Sequence, residues 1–275
     1  MSEKNEKTTN PMEEKLSPKK FTKNPIKGTK YTIMVSSAKG GVGKSTFAIN
    51  IAFALQNLGS KVGFLDADIH GPSLPKLIAI NEKPKSEDGK FLVPIEKYGA
   101  QFISMGFLID EITPMIWRGP MVISAIKTLT QRVLWKDLDF VVIDMPPGTG
   151  DAQLTFAQEV KVDGAIIVST PQDLALMDVK RGIQMFDKTK VKIIGLVDNM
   201  SFFKGEDGKN YKIFGEGGVE KTAKDFSKKF LGKIPINIEL RESSDLGLPL
   251  VYKKPEHEIS KIFLDIASKI KQDFP

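Results

Sequence analysis

Residues 38–46 read Ala-Lys-Gly-Gly-Val-Gly-Lys-Ser-Thr, and this run constrains the fold more than any other part of the chain. Tyr31 to Val35 before it is short, apolar and β-branched. From Thr46 to Leu58 the apolar residues Phe47, Ile51, Phe53, Ala54 and Leu55 recur at helical spacing, so the glycines join a strand to a helix. That is the setting of a phosphate-binding loop. Gly40, Gly41 and Gly43 let backbone N–H groups converge on phosphate oxygens without Cβ clashes, and the helix that follows points its positive end at the same anion. Lys44 is placed to reach the β- and γ-phosphates, and the Ser45 hydroxyl to bind Mg²⁺. The nucleotide-binding set is therefore Ala38, Lys39, Gly40, Gly41, Val42, Gly43, Lys44, Ser45 and Thr46. The general pattern asks for glycine at position 38, where this chain has alanine.

Behind the loop, strands and helices alternate. Lys61 to Leu65 leads into Asp66, Phe140 to Ile143 into Asp144, Gly164 to Ser169 into a helix from about Asp173, and Val191 to Val197 into Asp198 and Asn199. These runs are apolar on both faces, as in parallel strands covered by helices. The expected fold is α/β, a doubly wound, mostly parallel twisted sheet with helices on both faces and ligands at the carboxyl ends of its strands. Carboxylates end two of those strands. Asp66 and Asp144 are expected in the Mg²⁺ shell with Ser45, and Asp68 is expected to orient the attacking water, which makes Lys44 and Asp68 catalytic candidates.

Charge marks the domain boundary. The chain has 275 residues and a net charge of +6. Residues 1–30 hold eight lysines, four acids and three prolines, which leaves only +2 for the rest. Residues 1–30 read as a disordered leader and 31–275 as one ATPase domain. Aromatic residues are not interleaved with the leader's lysines, so no specific nucleic-acid partner is expected. No apolar run approaches the roughly 20 residues needed to span a bilayer. The chain has no cysteine, which suits a reducing cytoplasm.

Lys39, ahead of the second glycine-lysine pair, resembles the deviant phosphate loop of the MinD/ParA/nitrogenase-iron-protein ATPases. That resemblance implies an ATP-dependent homodimer in which Lys39 reaches the partner's phosphates as a third catalytic candidate. Six further segments look like the successive signatures of the Mrp family of iron–sulfur cluster carrier ATPases: Asp66-Ala-Asp-Ile-His-Gly-Pro-Ser-Leu-Pro75, Trp117-Arg-Gly-Pro-Met121, Asp144-Met-Pro-Pro-Gly-Thr-Gly-Asp151, Ser169-Thr-Pro-Gln-Asp-Leu-Ala-Leu176, Asp198-Asn-Met-Ser201 and Leu240-Arg-Glu-Ser-Ser-Asp-Leu-Gly-Leu-Pro249. The resemblance implies an Mg²⁺-dependent ATPase serving iron–sulfur cluster assembly or transfer to apoproteins, two nucleotide-sensing switches at residues 66–75 and 144–151, and an adenine contact from Asn199.

One signature is missing. The family carries Cys-x-x-Cys shortly after Asn-Met-Ser, whereas this chain reads Phe202-Phe-Lys-Gly-Glu-Asp-Gly-Lys-Asn-Tyr-Lys212. Clusters rely on soft thiolates, for which Glu206 and Asp207 are poor substitutes, and His70 and His257 are the only imidazoles. Autonomous cluster binding is therefore not expected. The alternative reading is a MinD/ParA-like switch that docks to a membrane or protein partner. Its candidate membrane element is the stripe Ile259, Ile262, Phe263, Ile266, Ala267 and Ile270, flanked by lysines; the competing reading of that stripe is a last helix packed onto the sheet.

Overall fold

A computed structural model describes residues 23–69, 71–108 and 119–275. In chain order the elements are β1 (Thr29–Ser36), α1 (Lys44–Asn57), β2 (Val62–Asp66), α2 (Leu74–Leu77), β3 (Ser86–Glu87), β4 (Phe91–Leu92), β5 (Ile95–Lys97), β6 (Ala100–Ser104), α3 (Gly119–Gln131), β7 (Leu138–Asp144), α4 (Asp151–Glu159), β8 (Gly164–Ser169) and α5 (Asp173–Thr189). They continue with β9 (Ile193–Lys204), β10 (Asn210–Tyr211), α6 (Gly218–Asp225), β11 (Phe230–Ile236), α7 (Ile238–Asp245), α8 (Leu250–Lys253) and α9 (Glu258–Lys271).

Nine strands form the main sheet, whose parallel core runs β6-β2-β7-β1-β8-β9-β11; β5 and β10 add antiparallel to β6 and β9. β1 lies between β7 and β8. The chain leaves β1 towards β2 and β6, then returns to β7 and crosses to β8. That reversal opens a crevice at the carboxyl end of β1, where open α/β sheets bind ligands. β2 and β8 are buried along their whole length, because helices cover both faces: α1, α8 and α9 pack together, and α3 to α6 form a second contiguous layer.

The stripe on α9 is spent on the core. Ile259, Phe263, Ile266, Ala267 and Ile270 are buried, and Phe263 stacks on Phe47 of α1 at 5.8 Å. A face already packed against α1 and β11 is not available to a bilayer. No described helix is long and apolar enough to cross a membrane.

Of the expected leader, residues 1–22 lie outside the described residues. Between position 23 and β1 the described chain already makes contacts with the fold. The Asn24 amide donates to Glu159 O, Ile26 is buried and β1 begins at Thr29. Backbone pairing and one buried isoleucine attach a segment that charge alone assigns to solvent.

Candidate functional site

α1 starts at Gly43 in the left-handed conformation (φ 78°) with no side-chain cap, and its first intrahelical bond is Phe47 N to Gly43 O. The amides of Lys44, Ser45 and Thr46 thus precede the first helical donor and remain available to an anion, with no acidic side chain in the first turn to compete. Gly40 and Gly41 are exposed at the lip of the loop. Only Gly43 is closely backed: a Cβ there would lie 2.4 Å from Asn199 Nδ2.

The sheet register gathers the acids. Val35, Asp144 and Asp66 are direct cross-strand neighbours on β1, β7 and β2. Lys44, itself buried, donates to Asp144 Oδ1 at 2.5 Å and to Ser45 Oγ at 3.2 Å, and its Nζ stands 3.9 Å from Asp68 Oδ2. Asp144 Oδ2 is buried with no hydrogen-bond partner among the described residues. Burial drives the Asp144 carboxyl up from its ordinary range, opposed by the Lys44 ammonium. A buried orphan oxygen beside a serine hydroxyl and a lysine suits a site that closes around Mg²⁺ and phosphate, since Mg²⁺ takes only one or two protein carboxylates and completes its shell from substrate and water. Among the described residues no group of three or more His, Cys, Asp or Glu side chains could hold a metal by itself.

Asp66, expected in the metal shell, is engaged elsewhere. Its Oδ1 accepts from the Asp68 amide (3.1 Å), and its Oδ2 accepts from the Ser73 and Leu74 amides (both 3.0 Å) and from Ser104 Oγ (2.9 Å). It therefore ties the 68–74 segment to the ends of β2 and β6. Burial, with the charge of Asp144, pushes its carboxyl up to about 7. Asp68 is drawn in over Lys44 and accepts from the Gly71 amide at 3.2 Å.

Asn199 sits behind the phosphate loop, where Nδ2 donates to Val42 O at 2.7 Å. The neighbouring Met200 is a non-glycine residue at φ 55° inside β9, a strained conformation of the kind that gathers at functional sites. Lys39 is half-buried and makes no hydrogen bond or ion pair among the described residues. His257 is structural: Nδ1 accepts from the Ile259 amide and caps α9, while Nε2 faces Glu239 at 3.3 Å. His70 and Trp117 lie outside the described residues.

Two participants carry no motif of their own. Ser104 holds Asp66 from the end of β6. Gln153, buried on the first turn of α4, bonds both the end of β1 and the segment after β7. Only its position, two residues after Asp151, singles it out in the sequence.

The segment that lacks the cysteines is a closed hairpin. β10 pairs with the end of β9, Gly205 N donates to Lys209 O, Gly208 N donates to Gly205 O, and Asp207 accepts from the Lys209 amide and the Tyr211 hydroxyl. These bonds hold the Asp207 carboxyl below its ordinary range.

Residues 28–271 match the model of the NUBPL iron-transfer P-loop NTPase family. An iron-sulfur cluster carrier protein of Haemophilus influenzae is 49% identical over 247 residues, covering 89% of this chain and 67% of its own length. The iron-sulfur cluster transfer protein NUBPL of Mus musculus is 47% identical over 249 residues, covering 90% and 78%. Among solved structures, a nucleotide-binding protein of Archaeoglobus fulgidus in complex with ADP superposes with a TM-score of 0.74 at 36% identity, covering 86% of this chain and 93% of that one. The cell division ATPase MinD of Pyrococcus furiosus shares the fold, with a TM-score of 0.62 at 22% identity over 88% and 98%. A family model that spans β1 to α9, and relatives close to half identical, agree with the loop and its acids: this chain belongs to the NUBPL iron-transfer family of P-loop NTPases.

Proposed function

We propose that the chain is an Mg²⁺-dependent ATPase that works as a nucleotide-switched homodimer in iron–sulfur cluster assembly or transfer, without holding a cluster on its own side chains. The observation that carries this reading is the Lys44–Asp144–Asp68 group at the strand ends. Asp144 neutralises the lysine, and an incoming γ-phosphate would take over that role and free the carboxylate to act with Ser45 on Mg²⁺. Mg²⁺ would supply charge neutralisation on the β- and γ-phosphates. Asp68 then stands within reach of the γ-phosphate to orient water, and Asp66 keeps the segment that carries it in place.

Asn199 fits the base end of the same ligand. Nδ2 commits one of its two hydrogens to Val42 O, and the amide oxygen is an acceptor suited to the amino group of adenine. A second copy would approach over the strand ends. Lys39 makes no hydrogen bond or ion pair there among the described residues, and Leu174 (61% exposed) and Met177 (56%) lie one turn apart on α5 beside Pro171. The loop carrying Ile213 (59%) comes down on that proline, because a Cβ at Gly215 would stand 3.6 Å from Pro171 O. The names of the relatives supply the client chemistry, and the self-bonded hairpin opposes cluster ligation by this chain.

Two measurements test the reading together. Purified protein should hydrolyse ATP slowly with Mg²⁺ and dimerise with ATP but not ADP. Reconstitution with iron and sulfide should leave no stable cluster; stoichiometric charge-transfer absorption would overturn the ligand argument.

A further inference from the structure

The structure assigns a positioning role in ATP turnover to Gln153, an assignment that rests on the ATPase reading above. Three links lace the phosphate-loop strand to the segment after β7. Two are backbone bonds, Met145 N to Val35 O (3.0 Å) and Gly148 N to Ser37 O (2.9 Å). The third is the side chain of Gln153, which reaches from α4 into both: Oε1 accepts from Ser36 Oγ at 3.1 Å, and Nε2 donates to the Pro146 carbonyl and points to Ser37 O at 3.5 Å.

All three groups it touches belong to buried residues. Ser36, Ser37 and Pro146 are buried, and Gln153 is 2% exposed. A buried amide that satisfies a hydroxyl and a carbonyl on two separate segments fixes their relative register, because breaking either bond leaves a polar group unpaired away from water. Pro146 has no N–H of its own with which to anchor its peptide unit to β1. The residues just after Asp144, the carboxylate that faces Lys44, are thus held to the phosphate-loop strand by Gln153 as well as by the two backbone bonds. Gln153 also lines a cleft of about 460 Å³ between this segment and α3, with Pro146, Pro147, Val122 and Ile123. The first turn of α4 thus follows any displacement of residues 145–150, and α3 packs on α4.

The decisive variant is Gln153→Met, which keeps the volume and removes the donor and the acceptor. Nucleotide is held by the loop amides and Lys44, none of which Gln153 touches. ADP affinity should therefore stay within about threefold of the parent while kcat falls about tenfold, the effect of one unpaired buried carbonyl. Ser36→Ala, which removes one of the two anchors, should lower kcat by a smaller factor in the same direction. Unchanged kcat in Gln153→Met, or a loss of kcat matched by an equal loss of ADP affinity, overturns the assignment. If Gln153→Met does not fold, Ser36→Ala decides alone, and parental kcat in that variant overturns it. A parent protein that binds ADP yet fails to hydrolyse ATP would instead sink the ATPase reading. In that case faster amide exchange at residues 145–150 in ADP-loaded Gln153→Met than in the ADP-loaded parent still reports the clamp, and equal exchange removes it.

Discussion

Gly43→Ala puts a number on how tightly the phosphate loop is backed. Gly43 and Gly41 share the same left-handed backbone, both at φ 78°, so alanine at either position meets the same conformational penalty of about 1–2 kcal/mol. Their surroundings differ. Nothing lies within 4 Å of a Cβ at Gly41, whereas at Gly43 the methyl would stand 2.4 Å from Asn199 Nδ2 and 3.2 Å from Met200 Cε. The Asn199 amide has to move, and its bond to Val42 O goes with it, a further loss of about 1 kcal/mol. Gly43→Ala should therefore lower the unfolding free energy of the nucleotide-free protein by about 2–3 kcal/mol, against about 1–2 for Gly41→Ala. Adding Asn199→Ala to Gly43→Ala removes the obstacle, so the double variant should be more stable than the sum of the single effects by about 1 kcal/mol. Denaturant unfolding of the parent, the three single variants and the double variant without nucleotide measures each quantity. Equal losses at 41 and 43, or strict additivity of 43 with 199, would refute the claim that Asn199 supports the loop from behind.

Lys44→Ala should abolish ATP and ADP binding by calorimetry, while Asp68→Ala should bind both and turn over far more slowly; parental turnover in Asp68→Ala would exclude it from orienting water. Asp198 carries two buried oxygens without partners among the described residues, and burial raises its carboxyl to about 6 against the attraction of Lys233. The native state therefore holds a proton that the unfolded chain releases near pH 4, so this group lowers stability as pH rises from about 4 to about 6. Asp198→Asn should flatten that slope and stabilise the protein above pH 6 by about 1–2 kcal/mol, read as the difference between unfolding at pH 5 and at pH 8.

The central strands are plain in the sequence because burial on both faces leaves unbroken apolar runs, and the phosphate loop because its chemistry is local. β6 and the outer half of β9 are harder to see: Ala100–Ser104 contains a glutamine, and Met200–Lys204 mixes a strained residue with a serine and a lysine. The support of the site is hidden for a different reason. Ser104 meets Asp66 across 38 residues and Gln153 meets Ser36 across 117, pairings that only the sheet order creates. A carboxylate at a strand end reads the same in sequence whether it faces a metal or, like Asp66, four protein donors, so motif spacing locates such residues without fixing their partners.

The topology also explains how the segment after Asn-Met-Ser can change without disturbing the switch. Lys44, Asp68 and Asp144 stand on the β1, β2 and β7 side of the crevice, whereas the hairpin hangs on the far end of β9, beyond the Asn199 and Met200 side chains that back the phosphate loop. The hairpin has its own closure, and glycine is part of it. Gly205 and Gly208 have the spacing of a Cys-x-x-Cys pair, but a Cβ at Gly205 would lie 2.7 Å from the Tyr211 ring and 2.8 Å from Asp207 Oδ1, and Gly208 sits at φ 77°. Side chains at these two positions and the closed turn exclude one another. A thiolate pair at this spacing would have to open the hairpin, and the self-bonded turn seen here leaves the nucleotide site complete while presenting no soft ligand to iron.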